Sequence, residues 1–213
     1  MGQAIRKLSQ SQSKNTFHNF QSNKEDSLKP SLIIDFSSPD CLLDILDVCL
    51  AQKLPLLTGT TGFTDDHHAS LDKAKEIIPI LVASNMSLGI ASLKNSIKKF
   101  LSTSKESLKC NLTEIHHTQK VDAPSGTAIE ILRFLETFPQ DKITGPITVN
   151  SYRHGNVFGI HRIEFQNSKE SIYFQHIASS RDIFATGAID AAQWLASNQP
   201  GLYTFDDFLV KKL

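Results

Sequence analysis

Apolar and polar residues follow different periods along this chain, and each change of period marks an element. Met1 to Pro30 holds few apolar residues and many Ser, Gln, Asn and Lys; only Gly2 to Leu8 has helical spacing, and the rest reads as loop or weak order. Ser31-Leu-Ile-Ile-Asp-Phe36 is a short apolar run, the signature of a strand covered on both faces. Ser38 and Pro39 then supply a cap and a first-turn proline, and Leu42, Leu43, Ile45, Leu46, Cys49 and Leu50 form the apolar face of the helix that follows. Leu54 to Thr58 is a second apolar strand, ended by Gly59. Thr64-Asp65-Asp66 opens a helix running to about Ile77, where Pro79 forbids continuation, and Ile80 to Ala83 is a third strand. Strands separated by helices predict βαβ units and a parallel sheet.

Beyond Leu88 the pattern changes. Leu93, Ile97, Phe100 and Leu101 form a helical stripe with Lys94, Lys98 and Lys99 outside it, and Ser107 to Ile115 alternates as a strand with one wet face. Another helix follows Thr127. Ile147 to Tyr152, Phe158 to Phe165 and Ser171 to Ile177 are strand-like. Turns at Arg153-His-Gly-Asn156 and Gln166-Asn-Ser168 predict hairpins within a mixed or antiparallel sheet packed by helices. A last helix covers about Asp182 to Ser197, with Gly201 beyond its end. The fold class expected is α/β: a Rossmann-like parallel-sheet domain of residues 1–86 and 182–213, and an α+β domain of residues 87–181 with a mixed sheet.

The charge balance narrows the partners. Lys plus Arg equal Asp plus Glu, 22 against 22, so no global field favours nucleic acid or an anionic membrane, and any anion must be held locally. No apolar stretch approaches the ~20 residues of a membrane span, and the N-terminus lacks the apolar core of a signal peptide. Cys41, Cys49 and Cys110 are odd in number and form no Cys-x-x-Cys pair, which reads as buried thiols in a reducing compartment; the expected location is cytoplasmic.

Candidate chemistry concentrates between His116 and Thr127. Neighbouring strand residues face opposite ways, so His116 and His117 leave the strand end together where the chain turns toward Lys120. Asp122-Ala-Pro-Ser-Gly is a turn, and a helix opens at Thr127. The N–H groups of Ser125, Gly126 and Thr127 at that helix end suit a carboxylate or phosphate, with Lys120 and a histidine acid close by. The plain alternative is a helix cap, with the histidines bonded to backbone carbonyls. No metal is expected, because adjacent strand histidines diverge and no third ligand stands at metal spacing.

His116-His117-x-x-Lys120-x-Asp122-Ala-Pro-Ser-Gly-Thr127-Ala resembles the signature of the 4-hydroxy-tetrahydrodipicolinate reductase (dihydrodipicolinate reductase) family. Asp35-Phe36-Ser-Ser-Pro39, Gly59-Thr-Thr-Gly-Phe63, Ala83-Ser-Asn-Met-Ser-Leu-Gly89, Arg153-x-Gly155-x-x-x-Gly159-x-His161 and Ser179-Ser-Arg181-x-x-Phe-Ala185-x-Gly-Ala188 resemble further family segments, in the same order. The resemblance implies NADPH- or NADH-dependent reduction of a cyclic imine dicarboxylate, with loss of water, in lysine and diaminopimelate synthesis. It implies His116 as the acid/base and Lys120 as the proton donor. His117, Lys120, Ser125, Gly126, Thr127 and Arg181 would hold the substrate carboxylates. Gly2, Gly59, Thr60, Thr61, Ala83, Ser84, Asn85 and Met86 would line the cofactor. It also implies a homo-oligomer, a tetramer by family habit.

The chain departs from the family in three places. Met1-Gly2-Gln-Ala-Ile-Arg-Lys-Leu8 looks like the tail of a glycine loop plus the first helix, without the first strand and earlier glycines, which implies unpaired strand edges and weaker NADPH binding. Ser9 to Pro30 offers no ribose reader. The path from Thr127 to Arg153 is short, and Met86 replaces an aromatic residue. The competing expectations are a degenerate or shortened member that keeps the dicarboxylate site but lacks cofactor binding and catalysis, and an oligomeric scaffold with a fossil pocket.

Overall fold

Each apolar run before Ser87 becomes a parallel strand. The computed structural model describes residues 1–11, 30–180 and 182–210. After α1 (Gly2–Ser11) come β1 (Ile33–Asp35), α2 (Leu42–Gln52), β2 (Leu56–Thr58), α3 (Asp65–Ala74) and β3 (Pro79–Val82). Ile33, Ile34 and Asp35 of β1 pair with Leu56, Leu57 and Thr58, and Leu56 pairs onward with Ile80. Parallel neighbours need a crossover, and the two helices supply it while covering the sheet. Leu42, Ile45, Leu46 and Cys49 of α2 and Leu71 of α3 form one core with Leu56, Ile78 and Ile80. A 3-10 turn at Pro39–Cys41 leads into α2, and Lys53, left-handed at φ 53, ends it. Pro79 opens β3, a strand position where its missing N–H costs no ladder bond. Among the described residues β1 is an edge strand, and its isoleucines are only half-buried.

Ser87 starts a second compact unit, Ser87–Arg181. Its hydroxyl caps α4 (Leu88–Thr103) by accepting from Ile90 N–H. Then follow β4 (Lys109–His116), α5 (Gly126–Glu136), β5 (Thr148–Arg153), β6 (Gly159–Gln166) and β7 (Ser171–Ala178). The sheet order is β5-β4-β6-β7, parallel between β4 and β5 and antiparallel elsewhere. The mixed sheet is as expected, but the hairpin predicted across Arg153–Asn156 is not formed. β5 is instead the parallel partner of β4, reached through α5, and the turn carries the chain past the end of β4 so that β6 docks on its other edge. Gln166–Ser168 does join a true hairpin, β6 to β7. Leu93, Ile97 and Leu101 of α4 and Ala128, Ile131 and Leu135 of α5 pack with Leu112, Ile163 and Phe165 of the sheet.

The chain then returns to the first unit, which comprises Met1–Met86 and Asp182–Leu213. α6 (Asp182–Leu195) packs against α1 and against β2 and β3. β8 (Gly201–Tyr203) adds a fourth parallel strand beside β3, and α7 (Phe205–Val210) follows. Neither β8 nor α7 was expected: a three-residue strand that begins at a glycine is too short to show a period.

Candidate active site

The register of the second sheet collects polar residues on its helix-covered face. One cross-strand row there is apolar, Val149, Leu112, Ile163 and Phe174. The next row toward the C-terminal end of β4 is Ser151, Glu114, His161 and His176, and Arg153 and His116 pair beyond it. Two residues along a strand return to the same face, so Glu114 and His116 point together. Glu114 has no exposed surface, and His116 and His161 are buried too.

Glu114 is the hub. Oε2 bonds Nδ1 of His116. Oε1 accepts from Nη1 of Arg153 at 3.0 Å and from Ser125 N–H at 3.3 Å. Burial alone would raise the Glu114 carboxyl, but hydrogen bonds from Arg153 and Ser151 and the charges beside it outweigh that and hold it below the usual carboxylate range. An ionised carboxylate only accepts, so His116 carries its Nδ1 proton toward Glu114 and presents Nε2 elsewhere. A Cβ built on Gly159 would stand 3.0 Å from that Nε2, so the glycine leaves the ring edge clear. Burial keeps the His116 imidazole below the ordinary histidine range, against the pull of Glu114. His161 is pushed down to about 3, by burial first and by His116 second, and its Nε2 lies 3.2 Å from Ser125 Oγ.

The helix end differs from the expectation of open N–H groups. Ser125 does cap α5, its Oγ accepting from Ala128 N–H at 3.2 Å, but its own N–H is given to Glu114. Gly126 N–H donates to the Asp122 carboxylate, which also takes Nζ of Lys120 at 2.7 Å. An internal carboxylate thus occupies the helix terminus, where the dipole favours one. Slight burial opposes the Asp122 charge, yet Lys120 holds its carboxyl below the usual range. Arg153 reaches the same loop, donating from Nε to Lys120 O at 3.1 Å and from Nη2 to Asp122 O. His117 is half-buried, with a buried Nδ1 that has no hydrogen-bond partner among the described residues. Thr127 is half-buried in the first turn of α5. Arg181 lies outside the described residues, as does most of Ser9 to Pro30.

Sequence reading gave Glu114, Arg153 and Asp122 no role. The signal for Glu114 was its spacing of two from His116; Arg153 comes from β5, a pairing the hairpin expectation hid. Ligand atoms of Glu114, His116 and His161 lie within 4.8 Å of one another, the third group arriving from β6 rather than at any local spacing. Both Glu114 oxygens are already committed to Arg153, Ser125 and His116, so the cluster is an ion-paired acid–base set.

In the first unit, the other predicted residues except Gly2 lie on loops after β2 and β3, at the carboxyl ends where open parallel sheets bind nucleotides. Asp35 organises the first loop. Its carboxylate accepts from Ser37 N–H at 2.9 Å, Thr58 Oγ1 at 2.7 Å and Thr60 Oγ1 at 2.8 Å. Thr60 is therefore buried and engaged, while Thr61 is exposed. Gly59 has no room for a side chain, since a Cβ would lie 2.0 Å from the Phe36 ring. Ser84 is exposed and Ala83 half-buried; Asn85 and Met86 are buried, and Gly2 is exposed at the start of α1.

Comparison with known proteins agrees with both halves. Family models described as the N-terminus and the C-terminus of dihydrodipicolinate reductase match residues 1–86 and 89–209. A protein of Bdellovibrio bacteriovorus named 4-hydroxy-tetrahydrodipicolinate reductase is 40% identical over 192 residues, covering 89% of this chain and 82% of the relative. One of the same name from Alkaliphilus metalliredigens is 36% identical over 195 residues, covering 84% and 80%. The solved structure of a dipicolinate-bound dihydrodipicolinate reductase from Paenisporosarcina sp. TG-14 shares the fold, with a TM-score of 0.65 at 22% identity over 91% of this chain and 82% of that one. The chain belongs to the 4-hydroxy-tetrahydrodipicolinate reductase family.

Proposed function

We propose that the protein reduces 4-hydroxy-tetrahydrodipicolinate to tetrahydrodipicolinate, with loss of water, in lysine and diaminopimelate synthesis. The observation that carries this reading is the His116 ring, oriented by an ionised carboxylate beside a lysine and a helix N-terminus. Such a set can hold a small dianion and deliver a proton to it. A bound nicotinamide nucleotide, NADPH or NADH, would supply the hydride. Gly59, Thr61, Ala83 and Ser84 would border it, Asp35 and Thr60 would fix the loop, and Asn85, Met86 and Gly2 would lie behind or beside it.

Lys120 and Gly126 N–H now answer Asp122, an exposed carboxylate. A substrate carboxylate would take Asp122's place, exchanging one anion for another at the helix end. Thr127, Ser125 and His117 would border the same carboxylate, and Arg181 the second. His116 as the acid/base, with Lys120 as proton donor beside it, would supply the proton as hydride arrives, so that hydride and proton together add two hydrogens to the conjugated C=C–C=N system.

The protein would act in the cytoplasm as a homo-oligomer, a tetramer by family habit. Among the described residues no helix is long and apolar enough to cross a membrane. Burial pushes the free thiols of Cys49 and Cys110 up to about 12, which suits a reducing compartment. The open face of the second sheet carries a cross-strand row of Tyr152, Ile115, Ile160 and Ile177. Tyr152 and Ile177 are 55% and 59% exposed, an apolar stripe that a second copy would cover.

The test is oxidation of NADPH or NADH by purified protein, with substrate generated in place from pyruvate and aspartate semialdehyde by the preceding enzyme. Substrate-dependent oxidation supports the reading. A folded protein that binds pyridine-2,6-dicarboxylate yet oxidises neither nucleotide would overturn it, leaving a dicarboxylate-binding descendant.

A further inference from the structure

We propose that Glu114 and Arg153 are positioning residues: Glu114 fixes the ring and charge of His116, and Arg153 locks Glu114 and the Lys120 loop into one frame. The proposal rests on the reductase reading for its consequence in turnover, and on geometry for its content. Glu114 Oε2 accepts from Nδ1–H of His116, which forces the working nitrogen to be Nε2, at the edge Gly159 keeps open. Arg153 donates to Glu114 Oε1 with one nitrogen, at 3.0 Å, and to the carbonyls of Lys120 and Asp122 with two others. One guanidinium therefore ties the histidine's carboxylate to the backbone of the lysine, and a planar fork does this where a point charge cannot. Ser125 N–H completes Oε1, so the helix that would receive the substrate carboxylate is joined to the same hub.

The charges around the ring show why the carboxylate matters. His116 meets Glu114 on its own strand, Arg153 from β5, His161 from β6 and Lys120 from the following loop; His176 of β7 acts on His161 in turn. Glu114 is the one anion in that list. Without its charge, a protonated His116 would face the cations Arg153 and Lys120, a neutral His161 and burial, and the acid form would become scarce near neutral pH. His116 gives up its Nε2 proton, keeps its Nδ1–H donated to Glu114, and regains the lost proton from water.

Glu114→Gln keeps the shape and removes the charge. The ring of His116 is titrated by nitrogen-detected NMR, alongside the pH profile of kcat/KM and the affinity for pyridine-2,6-dicarboxylate. The expected result is a His116 titration moved down by one unit or more. kcat/KM should fall at least tenfold at pH 7, with its pH profile shifted the same way, while dicarboxylate affinity changes less than threefold. Glu114→Asp, which restores the charge, recovers part of the titration. Arg153→Lys keeps a cation but loses the fork, and lowers both turnover and dicarboxylate affinity. An unchanged His116 titration in Glu114→Gln overturns the proposal, whatever the turnover. If Glu114→Gln fails to fold, Glu114→Asp decides by the same titration: a ring unaltered in tautomer and midpoint contradicts the role. Absence of turnover in the parent protein would instead count against the reductase reading, and the NMR titration would still judge Glu114.

Discussion

Lys120 is paired with Asp122 here, and with side chains 22% and 57% exposed Asp122 is the partner free to swing aside. Lys120→Ala should therefore weaken pyridine-2,6-dicarboxylate roughly ten- to a hundredfold, from the ~1.5–3 kcal/mol of a hydrogen bond to a charged group. Calorimetric titration measures it, and unchanged affinity would remove Lys120 from carboxylate binding. His161 bears on stability. Its folded value of about 3 lies below the unfolded 6.5, so the unfolded chain takes a proton first. The neutral buried ring costs nothing above pH 6.5, and stability drains as pH falls toward 3, by ~1.4 kcal/mol per pH unit for one proton. In His161→Gln the slope of unfolding free energy between pH 6.5 and 5 should lose that one-proton component; an identical slope would contradict it. At this scale the sequence showed His116, Lys120 and the capping serine, because a long local string carries them. It did not show that Ser125 N–H and Gly126 N–H already serve Glu114 and Asp122, since side-chain partners across strands and turns leave no local period.

Helix α6 lies against the backbone after β3 through a glycine. A Cβ at Gly187 would come 1.8 Å from Met86 O, and backbone cannot yield as a side chain could. Gly187→Ala is expected to destabilise the first unit by about 3 kcal/mol, at the upper end of overpacking costs, and denaturant melts followed at Trp194 on α6 would report it. A neutral melt would show that the helix shifts freely. Apolar runs and caps gave β1 to β3, α2 to α5 and the β6–β7 hairpin, because burial on one or both faces writes its period locally. Pairing between strands is not local, so the neighbour of β5 was misjudged, and β8 was too short to register.

The whole molecule combines a nucleotide-type unit with a mixed-sheet unit whose open face carries one apolar row across four strands, Tyr152, Ile115, Ile160 and Ile177, beside polar rows. Ile177→Glu on that face should shift the sedimenting species toward smaller assemblies while leaving the thermal melt within a few degrees. A parent protein that sediments as a monomer, or a variant that assembles as before, would contradict association through the sheet. The domain-scale pattern was readable from the sequence because strands alternating with helices gave way to strands alternating in polarity. The most direct measurement is kcat and dicarboxylate affinity of His116→Gln, side by side with the parent. The account predicts a kcat lowered about 10²- to 10⁴-fold, the range of a lost general acid, with affinity for pyridine-2,6-dicarboxylate changed less than tenfold. Turnover equal to the parent would contradict it and remove His116 as the acid.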